Sequence, residues 1–178
     1  PGSGIVGVKS RLVVEFLQPA TWSEALAIKA AQPEVVPIAG GTDVMVEINL
    51  DRRRPQAMLD LTRIRDLTEW GTDRGALRIG AAVTYSRLIE ELGDRLPGLA
   101  MASRTVGSPQ IRNRGTVGGN LGTASPAGDA HPVLLATGAQ VELTSVAGTR
   151  RVPAAEFFVS PKRSVMRKDE LISAFVVE

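Results

Sequence analysis

The sequence predicts an α+β fold in two parts, and three observations carry that expectation. Short β-rich runs alternate with helix-like segments over roughly the first 60 residues. The remainder gathers strands around tight turns, with helices between them. Two glycine-rich loops, one in each part, interrupt every periodic pattern.

In the first part, Leu12 to Phe16 reads as a strand. Thr21 opens a helix, and Glu24 three residues later completes a capping box. Ala25, Leu26, Ile28 and Ala31 form its apolar stripe, and Pro33 limits its length. Val35 to Ile38 is a β-rich run leading into the first glycine loop. Val44 to Leu50 reads as a helix and Ala57 to Leu61 as a strand. Strand, helix, strand, helix, strand is the order of a compact α/β unit.

In the second part, Leu67 to Trp70 and Ala76 to Gly80 read as two strands around the turn Gly71 to Gly75. Thr84 caps a helix reaching Glu91, and Leu96 to Val106 forms another, ended by Gly107-Ser108-Pro109. The stretch Arg112 to Gly128 holds five glycines and shows no periodicity, so an irregular loop is expected. Asp129 is placed to cap a helix from Ala130 to Thr137. Ala139 to Ser145 and Thr149 to Pro153 read as a hairpin around Gly148, and Leu171 to Val177 as a last strand.

Composition narrows the function. Of 178 residues, 43 % are hydrophobic and 22 % charged, and the 21 basic residues exceed the 19 acidic ones by only two. That balance argues against nucleic-acid binding. With no cysteine in the chain, disulfides, thiolate metal sites and protein-ligated iron–sulfur clusters are excluded within it. No run approaches the about 18 apolar residues of a membrane span. Pro1-Gly2-Ser3 lacks the character of a signal peptide and reads as a tag remnant, so the expected location is the cytoplasm.

The loops carry the functional signal. Ala39, Gly40, Gly41, Thr42 and Asp43 lie between a predicted strand and a predicted helix. Paired glycines remove side chains that would block a ligand. Free amides at a helix start face an anion readily, and Thr42 adds a hydroxyl. The spacing alone leaves two readings open, a structural turn or a phosphate cradle, and Asp43 can simply cap the helix. In the second loop, Gly118 and Gly119 offer another amide nest beside Thr116 and Asn120, while Ser125 and Asp129 carry groups able to bond ribitol or ribose hydroxyls. Two separated nests suit a pyrophosphate-bearing ligand. His131 reads as structural or surface, and Tyr85, Trp22 and Trp70 as packing residues. The Arg52-Arg53-Arg54 cluster reads as a solvated face. Arg112 and Arg114 are open to a pyrophosphate, a partner or protein salt bridges, and Lys162 and Arg163 to adenine or solvent.

The pairing of Ala39-Gly-Gly-Thr-Asp43 with Thr116-Val-Gly-Gly-Asn-Leu121 resembles the FAD-binding subunit or domain of the molybdenum hydroxylases, the xanthine dehydrogenase, aldehyde oxidase and aerobic carbon monoxide dehydrogenase family. Met58 to Leu61, Leu77 to Thr84, Gln110 to Gly115, Ala124 to Asp129, Phe157-Phe158 and Asp169 to Ile172 extend the likeness, in order, over nearly the whole chain.

The resemblance implies a two-subdomain FAD-binding fold of the vanillyl-alcohol-oxidase (PCMH) type, a small βαβ-like subdomain beside a larger antiparallel-sheet subdomain. After a leader of residues 1–10, these would span 11–62 and 63–178, with the family's C-terminal domain absent. Ala39 to Thr42 and Gly118 to Asn120 would cradle the pyrophosphate. Thr116 and Ser125 match positions lining the cofactor, and Asp129 an acidic position on the ribityl or adenosine side. The partners implied are a molybdopterin-containing large subunit and an iron–sulfur small subunit. Electrons would pass from iron–sulfur clusters through FAD to NAD+, a quinone or oxygen, with no catalytic acid or base and no metal in this chain. A self-contained flavin oxidase or dehydrogenase, or an assembly module with vestigial loops, is the alternative.

Overall fold

The structure, a computed structural model, describes residues 14–178. The leader and the beginning of the first predicted strand lie outside the described residues. The first region comprises β1 (Glu15–Leu17), α1 (Trp22–Ala31), β2 (Val36–Ile38), α2 (Val44–Asn49) and β3 (Ala57–Asp60). Its three strands form a parallel sheet in the order β1-β3-β2. A parallel pair needs a crossover, and α2 supplies the one between β2 and β3. The Thr21 side chain accepts from the Glu24 amide, and Glu24 Oε2 accepts from the Thr21 amide at 3.2 Å, so the capping box is complete.

The second region runs α3 (Arg65–Thr68), β4 (Trp70–Asp73), β5 (Ala76–Gly80), α4 (Tyr85–Leu92), α5 (Pro97–Thr105), α6 (Pro109–Arg112), α7 (Val117–Thr123) and α8 (His131–Ala136). It continues with β6 (Gln140–Ser145), β7 (Gly148–Pro153), α9 (Ala154–Phe157), β8 (Phe158–Ser160), β9 (Arg163–Ser164) and β10 (Leu171–Val177). Its main sheet is antiparallel, β4-β5-β10-β6-β7, and β8 pairs with β9 separately. All seven residues of β10 are buried, as expected for the central strand of a sheet covered on both faces.

Leu77, Ile79, Val141, Leu143, Phe175 and Val177 project from the large sheet into one core with Leu88, Leu92, Leu99, Leu121 and Leu134 from the helices. A second core joins Ala25, Leu26, Leu59 and Leu61 of the first region to Leu67, Ala82 and Leu171 of the second. The cleft described below opens beside that seam.

Three expectations need correction. Leu67 belongs to α3, and the strand begins only at Trp70. The Leu67 carbonyl accepts from the Ala82 amide at 2.8 Å, and a β-carbon on Gly80 would lie 2.3 Å from it, so Leu67 packs against the end of β5 and strand pairing starts at Trp70. The stretch 112–128 is irregular only in part: it takes in the last residue of α6, capped by Ser108, and all of α7, capped by Thr116, and the segments on either side of α7 are turn and coil. Asp129 does not cap α8. Ala130 occupies the cap position, which makes no side-chain cap bond.

Candidate functional site

The first glycine loop leaves β2 and enters α2. Gly40 and Gly41 are required for different reasons. A β-carbon on Gly40 would sit 1.9 Å from the Arg114 carbonyl oxygen, so this glycine lets the two loops touch. Gly41 has φ +77°, in the left-handed region. Among the described residues, the amides of Ala39, Gly40, Gly41, Thr42, Asp43 and Val44 find no protein acceptor. Ala39 to Asp43 are half-buried, and Asp43 and Val44 stand at the start of α2, where helix amides have no intrahelical acceptor, so these donors are left to the cleft.

Opposite stands the N-terminus of α7. Gly118 lies flush on Ala81, where a β-carbon would come within 2.4 Å of the Ala81 carbonyl oxygen, so it brings the helix start against the large sheet. Its amide has no protein acceptor among the described residues. The Gly119 amide differs from expectation. It donates to Thr116 Oγ1 at 2.8 Å, so the second nest is narrower than the glycine pair suggests.

These two segments face each other across a cavity of about 320 Å³. Ala39, Gly40, Gly41, Thr42, Asp43, Thr116, Gly118, Gly119 and Asn120 all line it. Ser125 and Asp129 do not. Ser125 Oγ accepts from the Ala127 amide at 3.3 Å, and Asp129 is exposed beyond the C-terminal end of α7.

Asp43 also departs from the cap reading. It holds the N-cap position of α2 but makes no side-chain cap bond. Its Oδ2 instead accepts from Asn120 Nδ2 at 3.0 Å and from Thr123 Oγ1 at 3.1 Å. Asn120 Oδ1 in turn accepts from the Tyr85 hydroxyl. Tyr85 is fully buried, and that burial, reinforced by the carboxylates of Asp43 and Asp129, pushes its phenol above the ordinary tyrosine range.

Several wall residues escaped the sequence reading. Lys29 is 6 % exposed and donates to the carbonyls of Pro33 at 2.8 Å and Val35 at 3.1 Å; burial lowers its ammonium below the ordinary lysine range, against an opposing pull from Glu34. Its place one turn after Ala25 and Leu26, within the apolar stripe, was the only available signal. Arg53 reaches the wall, whereas Arg52 and Arg54 do not line it. Ala81, Ala82, Ser164 and the segment Met166–Lys168 complete the opposite side. Arg112 is spent on protein, donating to the carbonyls of Arg104 in the last turn of α5 and of Val106 and Gly107 just past it. Lys162 pairs with Glu47 at 2.6 Å.

His131 is buried behind α7, its ring 4.6 Å from that of Phe158 and its Nε2 without a hydrogen-bond partner. Burial lowers its pKa. Among the described residues no cluster of His, Asp and Glu is arranged to hold a metal ion, and no helix is long and apolar enough to cross a membrane.

A mixed helix-and-strand chain with glycine-built amide donors on both sides of one cleft defines a nucleotide-cofactor-binding protein. Residues 12–177 match the family described as FAD binding domain in molybdopterin dehydrogenase, so the chain belongs to that family, whose cofactor is FAD. It is 34 % identical over 171 residues to the nicotinate dehydrogenase FAD-subunit of Eubacterium barkeri, covering 92 % of this chain and 58 % of that protein. It is 34 % identical over 161 residues to a putative xanthine dehydrogenase FAD-binding subunit of Escherichia coli K12, covering 88 % of this chain and 54 % of that one. Among solved structures, carbon monoxide dehydrogenase from Hydrogenophaga pseudoflava superposes with a TM-score of 0.88 at 29 % identity, over 92 % of this chain and 58 % of that chain. Quinoline 2-oxidoreductase from Pseudomonas putida 86 gives 0.88 at 26 % identity, over 93 % and 59 %. The chain thus spans little more than half the length of these relatives.

Proposed function

We propose that the cleft between residues 39–43 and 116–120 holds FAD, and that the chain is the flavin-carrying, electron-transferring component of a molybdenum hydroxylase. The observation that carries this reading is the unbroken run of unpaired amides from Ala39 to Val44, facing the start of α7. Main-chain donors stabilise a diphosphate without a buried cation. The pyrophosphate would lie on the amides of residues 39–44 and of Gly118, with Thr42 adding a hydroxyl. Thr116 holds the first turn of α7 in shape by accepting from Gly119. Ser125 and Asp129, beyond the far end of α7, are proposed to meet the hydroxyl-bearing part of the cofactor where it leaves the cavity.

The fold supports a two-subdomain reading of the PCMH type, 11–62 and 63–178, with the cofactor over the seam where Leu67, Ala82 and Leu171 meet Leu59 and Leu61. When bound, FAD supplies one- and two-electron chemistry between an iron–sulfur donor and a final acceptor: NAD+, a quinone or oxygen. The chain's own residues bind and orient it; none is proposed to move a proton. The expected partners are a molybdopterin-containing large subunit and an iron–sulfur small subunit, and the expected location is the cytoplasm.

The test is the visible spectrum and thermal midpoint of the purified chain before and after adding FAD. Flavin absorbance that stays with the protein through gel filtration, together with a raised midpoint, is the expected result. A colourless protein whose midpoint FAD does not move would overturn the proposal.

A further inference from the structure

Four polar side chains link the glycine segments to the interior. Asp43 lies at the end of the first loop, Asn120 and Thr123 lie on α7, and Tyr85 opens α4. The direction of each bond follows from the donor inventory. The Asp43 carboxylate can only accept, so Asn120 presents Nδ2 to it and Oδ1 to Tyr85, whose phenol donates. Thr123 donates its hydroxyl to the same Oδ2. Asp43 Oδ1 receives nothing from the described residues, and Asp43 lines the cavity. The carboxylate is therefore divided, one oxygen committed to protein and the other available.

Tyr85 is an unexpected residue for the centre of this arrangement. Its ring is fully buried among aliphatic neighbours, a place leucine or phenylalanine would fill without a polar atom. A buried hydroxyl stabilises only when its partner is held in place. Here that partner is Asn120, held at Nδ2 by the Asp43 carboxylate and at Oδ1 by the phenol.

We propose that Tyr85 is a positioning residue for the cofactor: through Asn120 it fixes the Asp43 carboxylate so that Oδ1 faces the cleft as an acceptor for a cofactor hydroxyl. The arrangement sorts the cleft by polarity. The amides of residues 39–44 favour the anionic diphosphate, while the adjoining carboxylate repels it and accepts a hydroxyl instead. This inference rests on the FAD reading above.

The experiment is a double-mutant cycle on FAD affinity in the full chain, measured by fluorescence quenching well below the thermal midpoint of every variant. Tyr85→Phe deletes one hydroxyl, and a dissociation constant raised about five- to tenfold is expected, the size of one lost hydrogen bond. In an Asn120→Ala background the same change should have no further effect, because the link is already cut. A residue acting only in packing would lower the midpoint and leave low-temperature affinity alone. Wild-type chain that binds FAD beside a Tyr85→Phe variant of equal affinity, or a penalty that persists undiminished in the Asn120→Ala background, would overturn the inference by itself. A wild-type chain that takes up no FAD overturns the proposed function, and the inference with it.

Discussion

Each glycine of the two loops answers to a different constraint, and substitutions should separate them. Gly40→Ala pushes a β-carbon into the Arg114 carbonyl, and Gly118→Ala into Ala81. Both neighbours are backbone and have little room to move, so each change should lower stability by about 1–3 kcal/mol and abolish FAD uptake. At Gly119 the same methyl meets only the Thr116 hydroxyl at 3.1 Å, and alanine favours a helix, so the loss should be the smallest of the three. Urea denaturation with FAD titration checks the order; a Gly119 variant worse than the Gly118 one would contradict it. His131 offers a pH test, being the only histidine. Its depressed folded pKa means that the unfolded chain binds the proton more readily. Stability should be fully present above the unfolded histidine value, about 6.5, and fall as pH drops from there through the folded value. The backbone of Asn120 and Ser125, and after them the carboxylates of Asp129 and Asp43, oppose that loss without reversing it. His131→Gln should flatten the slope of denaturation midpoint against pH in that window.

At the scale of elements, the sequence disclosed most of what local signals control. The Thr21–Glu24 box, the Thr84 cap and the hairpin around Gly148 are all present, because each depends on residues a few positions apart. What stayed hidden is what distant contacts decide. Three glycines within Val117–Thr123 argue against a helix by propensity, yet α7 forms because Thr116 caps it and Gly118 seats it on Ala81. The first loop was legible as a glycine-rich link from strand to helix, with a turn and a phosphate cradle both open, but the fate of each donor was not. The Gly119 amide is consumed by Thr116, and Asp43 turns from its own helix toward Asn120 and Thr123. Nothing in the spacing of residues 29, 53 and 166–168 announces that they share a wall with residue 40. An element-scale prediction concerns the approach to β10. Glu170, 4 % exposed, binds Arg150 of β7 at 2.6 Å and the Arg167 amide at 2.7 Å. The Arg150 hydrogen bond leads in holding its carboxyl below the ordinary glutamate range. That contribution is full above the unfolded carboxylate value, about 4.3, and is lost as pH falls through the lower folded value. Glu170→Gln should lower stability at neutral pH and lose less than wild type between pH 5 and 2, read by denaturation at each pH.

For the molecule as a whole, the cleft lies between two sheets of different construction, one parallel and three-stranded, the other antiparallel and five-stranded. One side of the proposed diphosphate site hangs from β2 and α2, the other from α7 against the large sheet. A ligand bound by both sides stabilises the native state of each, by about 2.7 kcal/mol when free ligand is a hundredfold above its dissociation constant. The two tryptophans report the regions separately, since Trp22 begins α1 and Trp70 begins β4. Trp70 Nε1 donates to Glu91 at 2.7 Å, and Arg95 lies 5.9 Å over its ring, so its emission depends on the large sheet and its helices staying packed. In single-tryptophan variants made by Trp22→Phe and Trp70→Phe, FAD should raise the urea midpoint seen by either probe, and the two midpoints should draw together. A loop that held the cofactor alone would protect only its own region. A midpoint that rises for Trp22 while Trp70 stays where it was would mean that α7 is packed beside the cofactor without gripping it.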